Sequence, residues 1–135
     1  MPAYLVSFVT SGTFARGNFE SDVRQLAARP ATWQAAIEFQ EALAADHGVA
    51  EVTVMRWDLL PDATSHPART SPYGYRLACH FLTEKGEGYM THEFARLEPL
   101  LTLNDIRSAE EVVRAMMNFR RVRLMGCEPL REITP

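Results

Sequence analysis

Lysine is almost missing from this chain: thirteen of its fourteen basic residues are arginine, and Lys85 is the exception. That bias reads as a mark of genome composition and carries no functional weight. Cysteine is scarce as well. Cys79 and Cys127 are too few and too far apart for a disulfide framework or a Cys-x-x-Cys metal site. Both sit in apolar segments, so they read as reduced core thiols of a cytoplasmic protein. No apolar run approaches the roughly 20 residues of a membrane span. The start, Met1-Pro2-Ala3-Tyr4-Leu5-Val6, has no basic region and no small-residue cleavage site, which argues against secretion. A Gly-x-Ser-x-Gly elbow, a phosphate loop and a dinucleotide fingerprint are all lacking. Gly86-Glu87-Gly88 reads as a turn, with an acid where a phosphate would have to go. The net charge of −3 is too small to specify an acidic or a basic partner.

What remains has globular composition, 47% hydrophobic and 23% charged, which excludes a disordered chain. A length of 135 residues suits one domain, 1–135, large enough to hold a core without staples. The strongest internal signal is a repeat at a spacing of about 70 residues. Tyr4-Leu5-Val6-Ser7-Phe8-Val9 opens one copy and Tyr75-Arg76-Leu77-Ala78-Cys79-His80-Phe81 the other. Gly17 pairs with Gly88, Leu26 with Leu97, Pro30 with Pro99 and Thr32 with Thr102. Val52, Met55, Asp58 and Leu60 match Val122, Met125, Glu128 and Leu130, each at an offset of 70. The copies span 3–60 and 75–130. Three prolines mark 61–74 as an exposed linker and the best site for proteolytic nicking.

Each copy reads strand, strand, helix, strand. In the first, aromatic and β-branched residues make a strand of 3–10, and Ser11-Gly12 turns into a polar strand over 14–25. Thr32 caps a helix over 33–47. Its apolar stripe is Trp33, Ala36, Ile37, Leu43 and Ala44, widened by Phe39. Gly48 ends it, and a strand follows at 51–60, alternating Val52 and Val54 with Thr53, Met55 and Trp57. In the second copy the strand 75–83, the turn 84–88 and the strand 89–97 make a hairpin. Thr102 or Asn104 caps a helix with the stripe Ile106, Ala109, Val112, Val113 and Met116, and Asn118 stops it. A strand at 121–128 closes at Pro129. A single copy is marginal alone. Together the copies predict an α+β fold, a tandem ββαβ pseudo-repeat forming a mostly antiparallel six-stranded sheet with two helices packed on it. A ferredoxin-like β-α-β-β-α-β layout also fits.

Few residues offer chemistry. His80 and His92 lie on the two strands of the second hairpin, and with Glu93 or Cys127 they would make a small metal or acid–base site. That spacing matches no ligand motif, and half-exposed strand histidines are the plainer reading. Charge is uneven: residues 1–66 carry four Arg against eight acids, whereas 67–135 carry ten Arg or Lys against nine. Arg114, Arg120, Arg121 and Arg123 gather where the second helix ends and the last strand starts. Cations favour a helix C-terminus, and the cluster also suits phosphate or an acidic partner. Met116, Met117, Phe119 and Met125 read as core with room for an adaptable contact or dimer surface. Trp57 and Tyr73 are strand and linker aromatics that would serve as anchors in an interface.

The pattern Tyr-Leu-Val-Ser-Phe, Gly17-Asn18-Phe19, Pro30, Thr32, His47-Gly48-Val49 and then Val-Thr-Val-Met-Arg-Trp-Asp-Leu-Leu over 52–60 resembles short uncharacterised bacteriophage and prophage proteins built from one strand-strand-helix-strand unit. It covers 3–60 well and 75–130 loosely, where Cys127 replaces the tryptophan. The resemblance implies an accessory phage or mobile-element gene, a class that includes inhibitors of host proteins, anti-CRISPR proteins among them. It brings no catalytic residues. The sequence therefore predicts a non-enzymatic protein-interaction module without cofactor or metal, directed at a host defence or regulatory complex, not at a membrane. Homodimer formation is compatible with it. The alternatives are a nucleic-acid binder using Arg114 to Arg123, and a small enzyme or metal protein using His80 and His92.

Overall fold

Tyr4-Leu5-Val6-Ser7-Phe8-Val9 is too apolar for a strand with one wet face, and a run of this kind marks a strand covered on both sides. In the computed structural model, which describes residues 1–11 and 18–132, that is its place. Strand β1 (Ala3–Ser11) is central, flanked by β2 (Asn18–Gln25) and β3 (Glu51–Leu60), both antiparallel to it. Helix α1 (Trp33–His47) carries the chain across from one flank to the other. The second copy repeats this arrangement. Its central strand is β4 (Tyr73–Thr83), flanked by β5 (Gly86–Arg96) and β6 (Arg121–Leu130), with α2 (Leu103–Met117) as the crossover. Of the expected Ser11-Gly12 turn, Ser11 is the last residue of β1; Gly12, Gly17 and residues 14–17 of the second strand lie outside the described residues.

The ends of the helices coincide with their caps. Thr32 accepts from the Ala35 N–H, and Thr102 from the Asp105 N–H. Asp105 returns a carboxylate to the Thr102 N–H, completing a capping box at α2 alone. Gly48 and Asn118 both take the left-handed conformation that stops each helix. The repeat extends to an irregularity. Ser7 and Phe8 face Arg56 and Val54, leaving Met55 as an extra residue; Ala78 and Cys79 face Gly126 and Leu124, leaving Met125. The two bulges thus fall 70 residues apart.

These bulges correct the expected alternation. The extra residue reverses which side chains share a face, so Trp57 joins Val52 and Val54 beneath α1, in a cluster with Tyr4, Val6, Phe8, Phe39 and Leu43. Asp58 and Leu60 turn to the opposite face. There Ala3, Leu5 and Leu60 merge with the main core, built from Tyr75, Leu77, Cys79, Leu100, Ile106, Ala109, Val113, Val122 and Leu124.

The α+β class and the tandem ββαβ arrangement are present, but the strands form two three-stranded antiparallel sheets in place of one sheet of six. The reason lies in β1. Side-by-side sheets with both helices on one face would leave Ala3, Leu5 and Ser7 wet; stacking puts β6 over that face. A ferredoxin-like layout needs its four strands in one sheet. Here the strands flanking each helix, β2 with β3 and β5 with β6, do run parallel about a central strand, but they belong to two separate sheets of three.

Several local expectations also change. Trp33 is 83% exposed, and Leu43 and Ala44 are the buried residues of α1. In α2, Val112 and Met116 face outward, while Glu110 takes a buried place beside Ile106 and Val113. Strand β5 begins at Gly86 because the turn is only Glu84-Lys85. Pro129 sits within β6, at the edge of its sheet, where a missing N–H is tolerated. Among the described residues no helix is long and apolar enough to cross a membrane.

The linker is more ordered than its composition predicts. Asp62 Oδ1 accepts from the N–H and hydroxyl groups of Thr64 and Ser65, which holds its carboxyl down at about 2. His66 is fully buried, edge-on to Tyr73 and Tyr75. Its Nδ1 accepts from the Ala68 N–H, so the neutral ring carries its proton on Nε2, which has no partner among the described residues. Burial lowers its pKa from the ordinary 6.5. The unfolded chain therefore binds a proton before the folded one does. Stability from this source is complete above about pH 6.5 and declines as pH falls below it. Urea midpoints at pH 7.5 and 5 are expected to differ more for the wild type than for His66→Phe. Equal differences would show that His66 is not held neutral.

Candidate functional site

Arginine at a helix C-terminus and in the strand that follows can only gather if the chain reverses tightly. Asn118 provides that reversal, with backbone bonds back to Ala115 and Arg114. The result is an open cleft of about 580 Å3 between the last turns of α2 and the start of β6. It is lined by Arg107, Glu110, Glu111, Arg114, Arg120, Arg121, Val122 and Arg123. The four predicted arginines are thus brought together, and Arg107 joins them.

Most of their charge is already matched. Arg114 makes a two-pronged pair with Glu111, Nε to Oε2 at 2.8 Å and Nη2 to Oε1 at 2.5 Å, and its Nη1 donates to the Phe119 carbonyl. The Arg114 hydrogen bond lowers the Glu111 carboxyl, and Glu111 raises Arg114 in return. Arg121 and Arg123, two apart on β6, both hold Glu20 of β2, Arg123 at 3.2 Å. Arg107 Nη1 lies 2.7 Å from both Ser21 Oγ and Glu110 Oε1, and its Nη2 donates to the Ser21 carbonyl. Among the described residues Arg120 alone of the five has no carboxylate within ion-pair distance. It is exposed at the mouth. Five guanidiniums therefore meet three carboxylates, Glu20, Glu110 and Glu111, and the corner carries surplus positive charge.

Below this surface lies a buried lock between the copies. Glu110 Oε2 accepts from Ser21 Oγ at 2.7 Å and from the Leu124 N–H at 2.8 Å. Further along β6, the Met125 carbonyl accepts from Ser7 Oγ, and the Cys127 N–H donates to Asp58 Oδ2 at 2.7 Å. Asp58 is in turn held by Arg56 Nε at 2.5 Å. Glu20, Ser21, Arg107 and Glu110 were not singled out from sequence. Glu110 alone left a trace, an acid on the apolar stripe of α2.

The other predicted residues lie elsewhere. Tyr73 is buried in the main core beside His66 and cannot anchor a partner. Trp57 is half-buried against Phe39 under α1, and its Nε1 has no partner among the described residues. Met116 is 65% exposed and Met117 is also exposed, so the last turn of α2 presents sulfur and apolar surface beside Arg114. Phe119 instead stacks flat on Phe81 at 4.1 Å.

His80 and His92 do not converge. His80 pairs with Tyr89 and His92 with Leu77, an odd separation along β4 that puts them on opposite faces. His80 is buried, not half-exposed. It bonds Glu87 at 2.8 Å and packs against the rings of Phe19 and Tyr89, which also touch each other. Among the described residues no three His, Cys, Asp or Glu side chains gather as metal ligands. Both cysteines are free and buried, and burial pushes the Cys79 thiol up to about 12 and Cys127 higher still. Neither is a thiolate near neutral pH. Comparison of the sequence with protein-family models and with curated proteins gives no match.

Proposed function

We propose that this protein is a non-catalytic interaction module that docks on an acidic protein surface through the arginine corner of α2 and β6. The observation that carries this reading is the convergence of Arg107, Arg114, Arg120, Arg121 and Arg123 on one open cleft, with two exposed methionines in the adjoining helical turn. Guanidiniums preset by their own carboxylates lose little freedom on meeting a partner carboxylate. Methionine adapts to an apolar neighbour at the rim. The dispersal of the histidines and the burial of both thiols are consistent with a role without chemistry of its own. A nucleic-acid backbone is the poorer occupant, because the chain carries a net charge of −3 and such binding favours a basic domain. The resemblance to phage and prophage units directs the search for the partner to host defence and regulatory complexes.

The test is a photo-crosslinking residue at position 116, with a control at position 41 on α1. The expected product at 116 alone is a discrete adduct whose linked peptide is rich in Asp and Glu. Arg114→Glu with Arg120→Glu should weaken the isolated complex at least tenfold, about 1.4 kcal/mol. Equal affinity in the double variant overturns the reading. So does binding to duplex DNA or RNA that falls steeply with salt and competes with the adduct.

A further inference from the structure

The two sheets have four edges, and on three of them side chains take up outward backbone groups. On β6 the carboxylates of Glu110 and Asp58 and the hydroxyl of Ser7 take up the outward backbone groups of Leu124, Cys127 and Met125. On β3 the Val54 N–H donates to the Gln40 side chain, next to the bulge at Met55. On β2 the Ser21 carbonyl is held by Arg107. Strand β5 differs. Beyond Gly86, at the turn, no side chain among the described residues reaches a backbone group of its 11 residues. An uncovered edge of this length is a template for a further strand.

The pairing with β4 fixes which groups face outward. Thr83 and Gly86 close a two-residue turn, and bonded and unbonded pairs alternate from there. Glu87, Tyr89, Thr91, Glu93 and Ala95 therefore point their N–H and C=O groups to the free edge. We infer that this edge pairs antiparallel with the same strand of a second copy, about a two-fold axis at Thr91, and joins two three-stranded sheets into one of six.

The strand itself selects that occupant and register. With Thr91 opposite Thr91 all residues of β5 overlap, and about ten new backbone hydrogen bonds form. Glu93 then faces Tyr89 and Glu87 faces Ala95, so no like charges oppose. Gly88 faces Phe94, and Met90 faces His92. A slip of two residues one way sets Glu87 against Glu93, which is repulsive. On the α2 face, Met90 and Phe94 are only half-buried and lean on the main core. A second β5 would complete their cover. A symmetric strand pair of this kind is an isologous interface.

The experiment is sedimentation equilibrium of the full chain from about 10 to about 500 μM, a range suited to an interface at or below standard size. The wild type is expected to pass from monomer to dimer. Thr91→Pro removes an outward N–H and leaves the ladder to β4 intact; it should raise the dimer dissociation constant at least tenfold. Thr91→Cys keeps the ladder and tests the register independently. Opposed residues in a bonded antiparallel pair sit about 5.5 Å apart at Cα, within disulfide reach, so mild oxidation should give a covalent dimer. Monomer throughout the range overturns the inference. A wild-type dimer that persists unchanged in Thr91→Pro, or whose Thr91→Cys form does not cross-link, overturns it as well by placing the interface elsewhere.

Discussion

Glu110→Ala is expected to lower the unfolding free energy by about 3–5 kcal/mol, the cost of removing one partner from a buried ionic network. The side chain is 3% exposed. Its loss leaves Arg107 with an unmatched charge below the surface, and it strips the acceptor from Ser21 Oγ and from the Leu124 N–H. Each orphaned donor adds about 1–3 kcal/mol where water cannot replace the carboxylate. Arg107 is about one-third exposed and can swing towards solvent, which keeps the total from rising further. Glu110→Gln should cost less, because the amide oxygen still serves the Leu124 N–H. Urea unfolding of the three proteins measures the difference. A loss below about 1 kcal/mol for Glu110→Ala would mean that water enters the junction and that the lock is not a buried one.

Glu110 also illustrates what the sequence conceals. Position 110 falls on the helical period of Ile106 and Val113, and periodicity alone places an acid there as a blemish on an apolar stripe. Its hydrogen-bond partners come from β2, α2 and β6; helical i,i+3 spacing accounts for Arg107, but no local rule brings Ser21 and Leu124 to it. The caps were legible because each is a local matter: a threonine three residues before an N–H, then a glycine or asparagine at the stop. The strand and helix order followed from the same short-range signals. The bulges were not legible. Met55 and Met125 look like ordinary strand residues, yet each reverses the alternation after it and so decides that Asp58 faces β6 and Trp57 faces α1. Stacking in place of side-by-side sheets was visible in one place, the unbroken apolar run of β1, which demands cover on both faces. Trp33 and Val112 fit a helical stripe and are still exposed, because α1 and α2 each bury a narrower face than the stripe describes. The gathering of arginines follows from their closeness in sequence about the end of α2. Its neutralisation depends on Glu20, a strand residue about a hundred positions away in sequence.

Separated at the linker, the two copies are expected to behave unequally. Residues 1–61 alone should show no cooperative thermal transition, whereas residues 62–135 alone should retain one at reduced stability, and mixing the two should restore the intact melt. The asymmetry follows from packing. In the first copy α1 buries only Leu43 and Ala44, and β1 has an apolar face of Ala3 and Leu5 that the second copy covers. Without that cover, a unit of about 60 residues cannot offset its conformational entropy. In the second copy α2 buries Ile106, Ala109 and Val113 against Tyr75, Leu77 and Leu124, so most of the main core stays in one piece. What it loses is the edge of β6. The Met125 carbonyl and the Cys127 N–H give up Ser7 and Asp58 and turn to water, at about 0.5–1.5 kcal/mol for each bond lost. Circular dichroism melts of the separate pieces and of their mixture decide the matter. A cooperative melt for 1–61 alone would show that β1 does not need its second cover, and the account of why the sheets stack would fail with it.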